Sequence, residues 1–276
     1  MTGPAASDGA RKLTTRSVEK VWGRDILPPP FAAETDTRIG EIWFDPPPQL
    51  PQLLVKYLFT SEKLSVQVHP SDEQALAEEE GKEECWLVLD ADPGASLAIG
   101  FKQAVSRDAV RRAAQDGSIE DLLAWHEAKP GDVFYLPAGT VHAIGPGLSL
   151  VEVQQNSDTT FRLYDYGRPR QLHLDRAMAV ANCGPYPARY RGTVKKDGPT
   201  LIDGAHFRLD RVEGRPDASI EEVYSNGMLA LPLSGGVSAR DGSASVDAGE
   251  CLYAPNLASL DFSAAEVTLL TRPARS

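Results

Sequence analysis

The stretch LSVQVHP, Leu64 to Pro70, places a glutamine and a histidine two positions apart in an otherwise apolar, β-branched run. Side chains alternate between the two faces of a strand, so Gln67 and His69 project from the same face, about 7 Å apart along the strand. Polar side chains in such a run need partners, because burying them unpaired costs free energy. A solvent-facing stripe, a histidine bonded to backbone, or a binding site would each satisfy them.

Short apolar runs recur along the chain, joined by loops that draw on 21 Pro and 23 Gly among 276 residues. Their β-branched and aromatic content predicts strands over GEIWF, QLLVKYLFT, CWLVLD, SLAIGF, DVFYLPAGTVHAI, LSLVEVQQ and TTFRLYDY. Helical patterns are few: DEQALAEEE after Ser71, and a pair that begins at Ser106 and Ser118. We therefore expect a mainly β protein with a short helical insertion over residues 104–128.

A repeated pattern predicts two units. PGDVFYLPAGTVH, ending at His142, resembles AGECLYAPNLASL, ending at Leu260: each has a turn glycine, an acidic residue, a tyrosine and then a proline. This rhythm is typical of a strand pair in a small β-barrel. Because Leu260 stands where the first copy has His142, we expect the second unit to be chemically silent. The predicted divisions are a disordered N-terminus over 1–12, a first unit over 13–185 and a second unit over 186–276.

Charge and composition exclude several classes of partner. The formal net charge of -11 disfavours nucleic acid and anionic membranes. The sequence has no signal-peptide pattern and no apolar run approaching the roughly 18 residues that span a bilayer, so a cytoplasmic location is expected. Cys85, Cys183 and Cys251 are too few and too widely spaced for a disulfide framework or a metal knuckle, and are expected to be reduced and buried.

Two further residues extend the polar pair into a candidate metal site. Glu84 precedes the apolar run CWLVLD, and His142 follows the PAGT turn at the entry to another strand. With Gln67 and His69 they supply two imidazoles, a carboxylate and an amide oxygen, a set that suits a borderline divalent metal with a position left open. Such a set indicates catalysis rather than a closed structural site, which usually recruits thiolates.

The residues around this site resemble a known family. Four blocks, together with KVWGRD and GEIW near the N-terminus, look like the signatures of type I mannose-6-phosphate isomerases of the short bacterial form, which are zinc-dependent cupins. The resemblance runs from about Lys20 to Gly167 and weakens beyond it. The blocks are LLVKYLFTSEKLSVQVHPSDEQA, GKEECWLVLDADPGA, GDVFYLPAGTVHAIG and EVQQNSDTTFRLYDYGR.

The resemblance implies a fold and a ligand set. It implies two cupin-like (jelly-roll) β-barrel units, the first binding metal over 13–185 and the second degenerate and metal-free. It implies one Zn²⁺ per chain and an arginine implicated in catalysis, Arg162 here. Arg24 and Glu83 depart from the family pattern but touch no implied ligand. The implied metal ligands are Gln67, His69, Glu84 and His142.

The implied reaction interconverts mannose 6-phosphate and fructose 6-phosphate by moving a proton between C1 and C2 through an enediol. A divalent ion and the guanidinium of Arg162 would stabilise the developing negative charge. Lys82 is the favoured proton carrier, because a neighbouring cation disfavours its protonated form; Glu41 and a water at the metal are alternatives. Lys56, inside an apolar strand, is a candidate for gripping the phosphate.

Other interpretations stay open at this level. The chain could isomerise another hexose phosphate, or bind a sugar phosphate without catalysis. Arg162 could be structural, paired with Glu152 or Asp165. Trp22, Trp43 and Trp86 are assigned to the core, and the sequence leaves the oligomeric state and the physiological metal undetermined.

Overall fold

The computed structural model describes residues 9–31, 37–195 and 198–274. Its strands are β1 (Arg11–Lys12), β2 (Thr15–Arg24), β3 (Ile39–Phe44), β4 (Leu53–Phe59), β5 (Val66–Val68), β6 (Glu84–Ala91), β7 (Ser96–Phe101), β8 (Leu123–Glu127), β9 (Asp132–Leu136), β10 (His142–Ile144), β11 (Leu148–Gln155), β12 (Phe161–Tyr164), β13 (Arg191–Thr193), β14 (Thr200–Asp203), β15 (Phe207–Glu213), β16 (Met228–Ala239), β17 (Ser245–Asp247), β18 (Leu252–Ala254), β19 (Leu260–Asp261) and β20 (Ala265–Pro273). The helices are α1 (Arg107–Asp116), α2 (Ile119–Leu122), α3 (Leu174–Val180) and α4 (Ala218–Val223). The strands predicted from the apolar runs are confirmed.

Three antiparallel sheets form successive layers. A five-stranded sheet, β12-β5-β10-β7-β8, packs against a seven-stranded sheet, β13-β9-β6-β11-β4-β3-β2, and an eight-stranded sheet combines β1 with β14 to β20. Helices α1 and α3 cover the outer face of the five-stranded sheet. No helix in the described parts of the chain is long and apolar enough to cross a membrane.

Alternation along β6 shows how one strand serves two cores. Trp86 and Val88 pack between the five- and seven-stranded sheets, whereas Cys85 and Leu87 pack on the opposite face. Because successive side chains point to opposite faces, Glu84 shares the face of Trp86. The continuous apolar run CWLVLD therefore follows from burial of the strand on both sides.

The largest core joins the seven-stranded to the eight-stranded sheet. Val55 and Val153 from the first sheet meet Phe207, Leu229 and other residues of the second, all close to fully buried. A separate apolar cluster fills the interior of the eight-stranded sheet, and Leu260 lies fully buried within it.

The predicted helical insertion is confirmed in part. Ser106 caps α1 by accepting a hydrogen bond from the backbone N–H of Ala109, and α1 ends at Gly117 in the left-handed conformation. Ser118 precedes α2 without a side-chain cap. The insertion as predicted also contains a strand, β8, which pairs with β7.

The helix predicted after Ser71 is wrong, because DEQALAEEE forms turns. The capping pattern is present, since the backbone N–H of Ser71 donates to Gln74 Oε1 at 3.1 Å. Leu76 is 60% exposed, however, so the segment has no apolar face to bury. Short helices without such a face are marginal in water.

Three other expectations need correction or restriction. Disorder is predicted over residues 1–12, of which residues 1–8 lie outside the described residues. Arg11–Lys12 form β1 and pair with Leu252 and Tyr253, so the prediction of disorder is wrong for Arg11 and Lys12. Cys183 is half-buried rather than buried, and all three cysteines are free. The division into units at 185/186 stays a prediction, although Arg191–Thr193 pair with the first unit's β9.

Candidate metal centre and its cavity

Four polar side chains meet where β5, β6 and β10 begin or end. Gln67 lies in β5 opposite His142, the first residue of β10, and His69 follows β5 directly. His69, Glu84 and His142 place ligand atoms within 4.8 Å of one another, and each is at most 2% exposed. Glu84 Oε1 lies 3.3 Å from His142 Nε2, and Glu84 Oε2 lies 3.5 Å from His69 Nε2.

Backbone carbonyls orient both imidazoles. His69 Nδ1 lies 2.8 Å from the carbonyl oxygen of Thr159, and His142 Nδ1 lies 2.9 Å from that of Thr140. Carbonyls only accept, so each Nδ1 carries the proton and each Nε2 presents a lone pair toward Glu84. Burial lowers the pKa of both histidines, and Lys82 adds to the effect at His69. They are therefore neutral, as metal ligands must be.

Glu84 is chemically suited to a cation. Both of its carboxylate oxygens are buried; Oε2 forms an ion pair with Lys82 Nζ at 2.8 Å, and Oε1 accepts no hydrogen bond from the described residues. Burial by itself raises the pKa of Glu84, but Lys82, together with the neighbouring His69 and His142, outweighs it and lowers that pKa. An ionised, buried carboxylate facing two imidazole lone pairs fits a divalent metal ion, with the amide of Gln67 at its edge.

A cavity of about 240 Å³ opens beside this cluster and is lined by Gln67, Lys82 and Glu84 from the site. Its walls carry mixed charge in an apolar frame, which lets a charged, hydroxyl-rich ligand be held at several points. The cationic wall residues are Lys20, Lys56, Lys82, Arg162 and Arg170, and the acidic ones are Glu41, Glu84, Glu152 and Asp158. A larger, more open recess of about 790 Å³ shares Trp43, Ser157, Asp158 and Thr160 with it.

Glu152 is a site residue that the sequence reasoning missed. It lies in β11 between Trp86 of β6 and Lys56 of β4, and is 2% exposed. Its Oε1 pairs with Lys56 Nζ at 2.9 Å, and its Oε2 accepts a hydrogen bond from Trp86 Nε1 at 2.9 Å. Burial raises the pKa of Glu152, and the charge of Glu84 raises it further. A glutamate within the apolar strand LSLVEVQQ was the available signal.

Lys56 and Glu41 form a compensated pair on the cavity wall. Lys56 Nζ lies 3.3 Å from Glu41 Oε1, and Lys20 Nζ lies 3.0 Å from Glu41 Oε2. Burial raises the pKa of Glu41, but Lys56 and Lys20 outweigh it and lower the value to about 2. Burial lowers the pKa of Lys56, but Glu152 and Glu41 outweigh it and raise the value. Both groups are therefore fully charged at neutral pH.

Lys82 stands beside the candidate metal ligands. Its Nζ is 3.3 Å from His69 Nε2 and 3.9 Å from Glu152 Oε1, in addition to its contact with Glu84. Only 6% of the residue is exposed. The structure thus brings Lys82, the predicted proton carrier, to the predicted metal centre, although His69 and His142 are far from Lys82 in sequence.

Arg162 lies in β12 opposite Gln67 and lines the cavity. It forms no ion pair with a described residue, since Asp165 is engaged by Arg168 at 3.3 Å and Arg170 at 2.6 Å. The interpretation of Arg162 as paired with Glu152 or Asp165 is therefore wrong. Burial lowers the pKa of Arg162, and Arg170 adds to this. Its buried Nε has no hydrogen-bond partner among the described residues.

The assignment of Trp43 to the core also needs correction. Trp43 is half-buried, lines the cavity, and donates from Nε1 to Glu41 Oε2 at 3.2 Å. The Lys56 ammonium lies 5.3 Å from its ring centroid. Trp22 and Trp86 are buried as predicted, but they too contribute to the cavity wall.

Comparison with known proteins identifies relatives over part of the sequence. The chain is 39% identical over 185 residues to the mannose-6-phosphate isomerase ManA of Bacillus subtilis, covering 62% of this chain and 58% of that protein. It is 44% identical over 140 residues to a mannose-6-phosphate isomerase of Streptococcus mutans, covering 48% and 44%. The matches span about half the length of these curated relatives. No protein-family model matches the chain.

Solved structures extend the likeness of the fold to nearly the whole chain. The mannose 6-phosphate isomerase of Bacillus subtilis superposes with a TM-score of 0.74 at 23% identity, covering 96% of this chain and 99% of that one. A mannose 6-phosphate isomerase solved with zinc bound gives 0.69 at 14% identity, covering 97% and 100%. The predicted resemblance to mannose-6-phosphate isomerases and the mainly β fold are confirmed. The exact arrangement as two units stays a prediction.

Proposed function

We propose that this protein is a mannose-6-phosphate isomerase, interconverting mannose 6-phosphate and fructose 6-phosphate by proton transfer between C1 and C2 through an enediol. The observation that carries the proposal is the cluster of His69, Glu84 and His142, whose Glu84 lines a cavity that also has five cationic side chains in its wall. The curated relatives named for this activity support it. The substrate is a small sugar phosphate, and the cytoplasmic location stays a prediction.

Zinc is the proposed ion, one per chain, held by His69, Glu84, His142 and the amide oxygen of Gln67. In the structure this oxygen accepts from Ser65 Oγ at 3.1 Å and Gln67 Nε2 lies 3.2 Å from His142 Nε2, so the amide would turn to bind the ion. Two imidazoles, a carboxylate and an amide suit zinc, and a structural relative has been solved with zinc bound. When bound, the ion would supply Lewis acidity toward the oxygens at C1 and C2. The protein contributes the neutral state of the histidines and the buried charge of Glu84.

Arg162 is proposed to bind and stabilise negative charge on the substrate. It is the cationic wall residue without an ion-pair partner among the described residues, so a guanidinium is available in a partly water-excluded cavity. Lys56 and Glu41 remain proposed substrate contacts, but Lys56 already bridges two carboxylates. We therefore expect Lys56 mainly to balance the negative charge of the cavity wall, rather than to be the main phosphate-binding residue.

Two groups are placed to carry the proton between C1 and C2: Lys82 and Glu152. Glu41 is a poor candidate, because a carboxylate whose pKa is about 2 is a weak base at neutral pH. Glu152 is buried and its pKa is raised, which makes it a stronger base than an ordinary carboxylate. Lys82 Nζ lies 3.9 Å from Glu152 Oε1, so the two can act on one substrate.

The first test is a coupled assay for fructose 6-phosphate formed from mannose 6-phosphate. It is run on purified protein, after chelation, and after zinc is added back, with metal content measured in parallel. Activity should fall with the metal and return with zinc. Absence of turnover in protein that holds one zinc per chain would contradict the proposal. It would favour isomerisation of another hexose phosphate, or binding without catalysis. Assays with a panel of hexose phosphates would separate these two alternatives.

Replacement of Arg162 by alanine tests the charge-stabilising role. We expect kcat/KM to fall at least about 100-fold, the usual cost of removing one such donor, with metal content unchanged. Arg112→Ala, which removes an exposed arginine of α1, is the matched control and should retain full activity. If Arg162→Ala turned over at the wild-type rate, the assignment would be wrong.

A further inference from the structure

Gln154 is a buried polar residue of the cavity wall to which the proposed mechanism gives no role. It lies near the end of β11, directly opposite Glu84 of β6 on one side and Leu54 of β4 on the other. Directly opposed residues on neighbouring antiparallel strands have Cβ atoms about 5 Å apart. Gln154 is 1% exposed and lines the 240 Å³ cavity.

The orientation of the Gln154 amide is set by two backbone carbonyls. Nε2 donates to the carbonyl oxygens of Gln155 and Ser157, each at 2.7 Å. Exchanging the amide oxygen and nitrogen would set an acceptor against two acceptors, so the alternative orientation is disfavoured. Oε1 is consequently held away from these carbonyls. It is buried and accepts no hydrogen bond from any described residue.

A fixed, buried acceptor at a cavity wall selects for the group that approaches it. Leaving such an oxygen unpaired costs free energy, so a ligand that donates to it is favoured over one that does not. A phosphate group is anionic and mainly accepts, which makes it a poor match. A hydroxyl group donates, and the sugar chain presents several. Gln154 lies beside Glu84, so under the proposed function its acceptor would lie near the reacting end of the substrate rather than near its phosphate.

We propose that Gln154 Oε1 accepts a hydrogen bond from a sugar hydroxyl close to the reacting carbons, and thereby helps to decide which hexose phosphates the cavity accepts. This inference rests on the proposed function and deepens it. Gln154 acts as a specificity-determining residue: its backbone-held amide supplies one acceptor at one place. A substrate lacking the matching hydroxyl would leave that acceptor unpaired in the closed site.

The test compares mannose 6-phosphate with its 3-deoxy and 4-deoxy analogues. In the wild-type protein, kcat/KM should fall about 10- to 100-fold for the analogue that lacks the bonded hydroxyl. Gln154→Met has a side chain of similar shape without the amide oxygen. In this variant kcat/KM for mannose 6-phosphate should fall by a similar factor, whereas kcat/KM for that analogue should change little. The ratio between the two substrates should then approach one.

Controls separate specificity from a general structural effect. Gln155→Met removes the neighbouring amide, which points to the other face and bonds Asp72 and the backbone of Glu83, and should leave the ratio at its wild-type value. Metal content and melting temperature are measured for each variant. Gln154→Asn, which keeps an amide but withdraws it by one methylene, is the second variant should Gln154→Met fail to fold.

Failure of this inference is distinguishable from failure of the proposed function. If the wild type isomerises mannose 6-phosphate and Gln154→Met and Gln154→Asn lose activity equally on all three substrates, or on none, the inference is overturned and the function stands. If the wild type binds hexose phosphates without isomerising them, the function falls, and the same ratios taken from dissociation constants decide the role of Gln154.

Discussion

At the scale of single residues, the cavity wall neutralises most of its own buried charge. Lys56 lies between Glu41 and Glu152, and Lys20 contacts the other oxygen of Glu41. Buried ions are tolerated only when paired, and removing one partner leaves the others uncompensated. Arg162 is the exception in this arrangement, which is why it stands out as the cation available to a substrate.

Glu41→Gln tests this compensation through its pH dependence. The pKa of Glu41 is lowered from 4.5 to about 2 in the folded protein, so its ionised form stabilises the fold above about pH 4.5 and the contribution is lost as the pH falls toward 2. The shift corresponds to about 3 kcal/mol. Glu41→Gln should therefore be less stable than wild type at pH 6, and the difference should narrow steadily toward pH 3.

Urea unfolding at intervals between pH 6 and pH 3 measures that difference. The control is Glu73→Gln, which removes an exposed carboxylate from the segment after Ser71 and should change the free energy of unfolding little at any pH. If the difference in the free energy of unfolding between wild type and Glu41→Gln stayed constant from pH 6 to pH 3, the Glu41 carboxylate would not be held ionised by its lysine neighbours.

At the scale of elements, a turn rather than a helix delivers Lys82 to the metal centre. The chain from Ser71 to Gly81 closes on itself: the backbone N–H of Gly81 donates to Asp72 Oδ1 at 2.8 Å, and that of Lys82 donates to the carbonyl of Pro70 at 3.0 Å. A Cβ at Gly81 would lie 2.4 Å from the backbone nitrogen of Asp72. The closure requires a glycine there because backbone, not a movable side chain, occupies the space.

Gly81→Ala should disturb the position of Lys82 more than it disturbs the fold. We expect kcat to fall about 10-fold or more, since misplacement of catalytic groups by about 1 Å can cost 100-fold, with zinc still bound by the strands. Gly192→Ala is the matched control, because nothing lies within 4 Å of the added Cβ. Unchanged kinetics in Gly81→Ala would mean that the turn adjusts without moving Lys82, or that Lys82 is not involved.

At the scale of the whole molecule, the eight-stranded sheet and the seven-stranded sheet share one apolar core. Phe207 and Leu209 from β15 are buried with Tyr135 from β9, and the rings of Phe207 and Tyr135 meet edge to face at 6.0 Å. Tyr135 in turn hydrogen-bonds Glu83, the neighbour of Glu84. The second predicted unit therefore supports the strand that carries Glu84 of the candidate metal centre, although no candidate metal cluster occurs within that unit among the described residues.

Phe207→Ala tests whether this shared core couples the two units. Loss of a fully buried phenylalanine should cost about 3–5 kcal/mol, and the zinc-bound protein should still unfold in a single calorimetric transition at a lower temperature. Val246→Ala, in the separate core of the eight-stranded sheet, is the comparison and should lower the same transition by less. Two separated transitions, with zinc retained through the first, would contradict the coupling.

Prediction from sequence succeeded where the signal is local. Alternation in LSVQVHP placed Gln67 and His69 on one face, and the blocks around Glu84, His142 and Arg162 were informative enough to assemble the candidate site. The segment after Ser71 was assigned wrongly because a capping pattern was present without an apolar face. Glu152 and Gln154 were missed as site residues because polar residues within a largely apolar strand do not reveal what lies opposite them.

The sequence by itself determined the strands, the mainly β fold and the chemical types of the metal ligands, because strand periodicity and ligand chemistry are properties of short segments. Only the tertiary structure decided which polar groups are compensated: that Lys56 sits between two carboxylates, that Arg162 lacks an ion-pair partner among the described residues, and that the buried oxygen of Gln154, a cavity-lining residue, has no hydrogen-bond partner among them. The reason is that strand pairing brings together residues far apart in sequence, and burial gives their interactions strength.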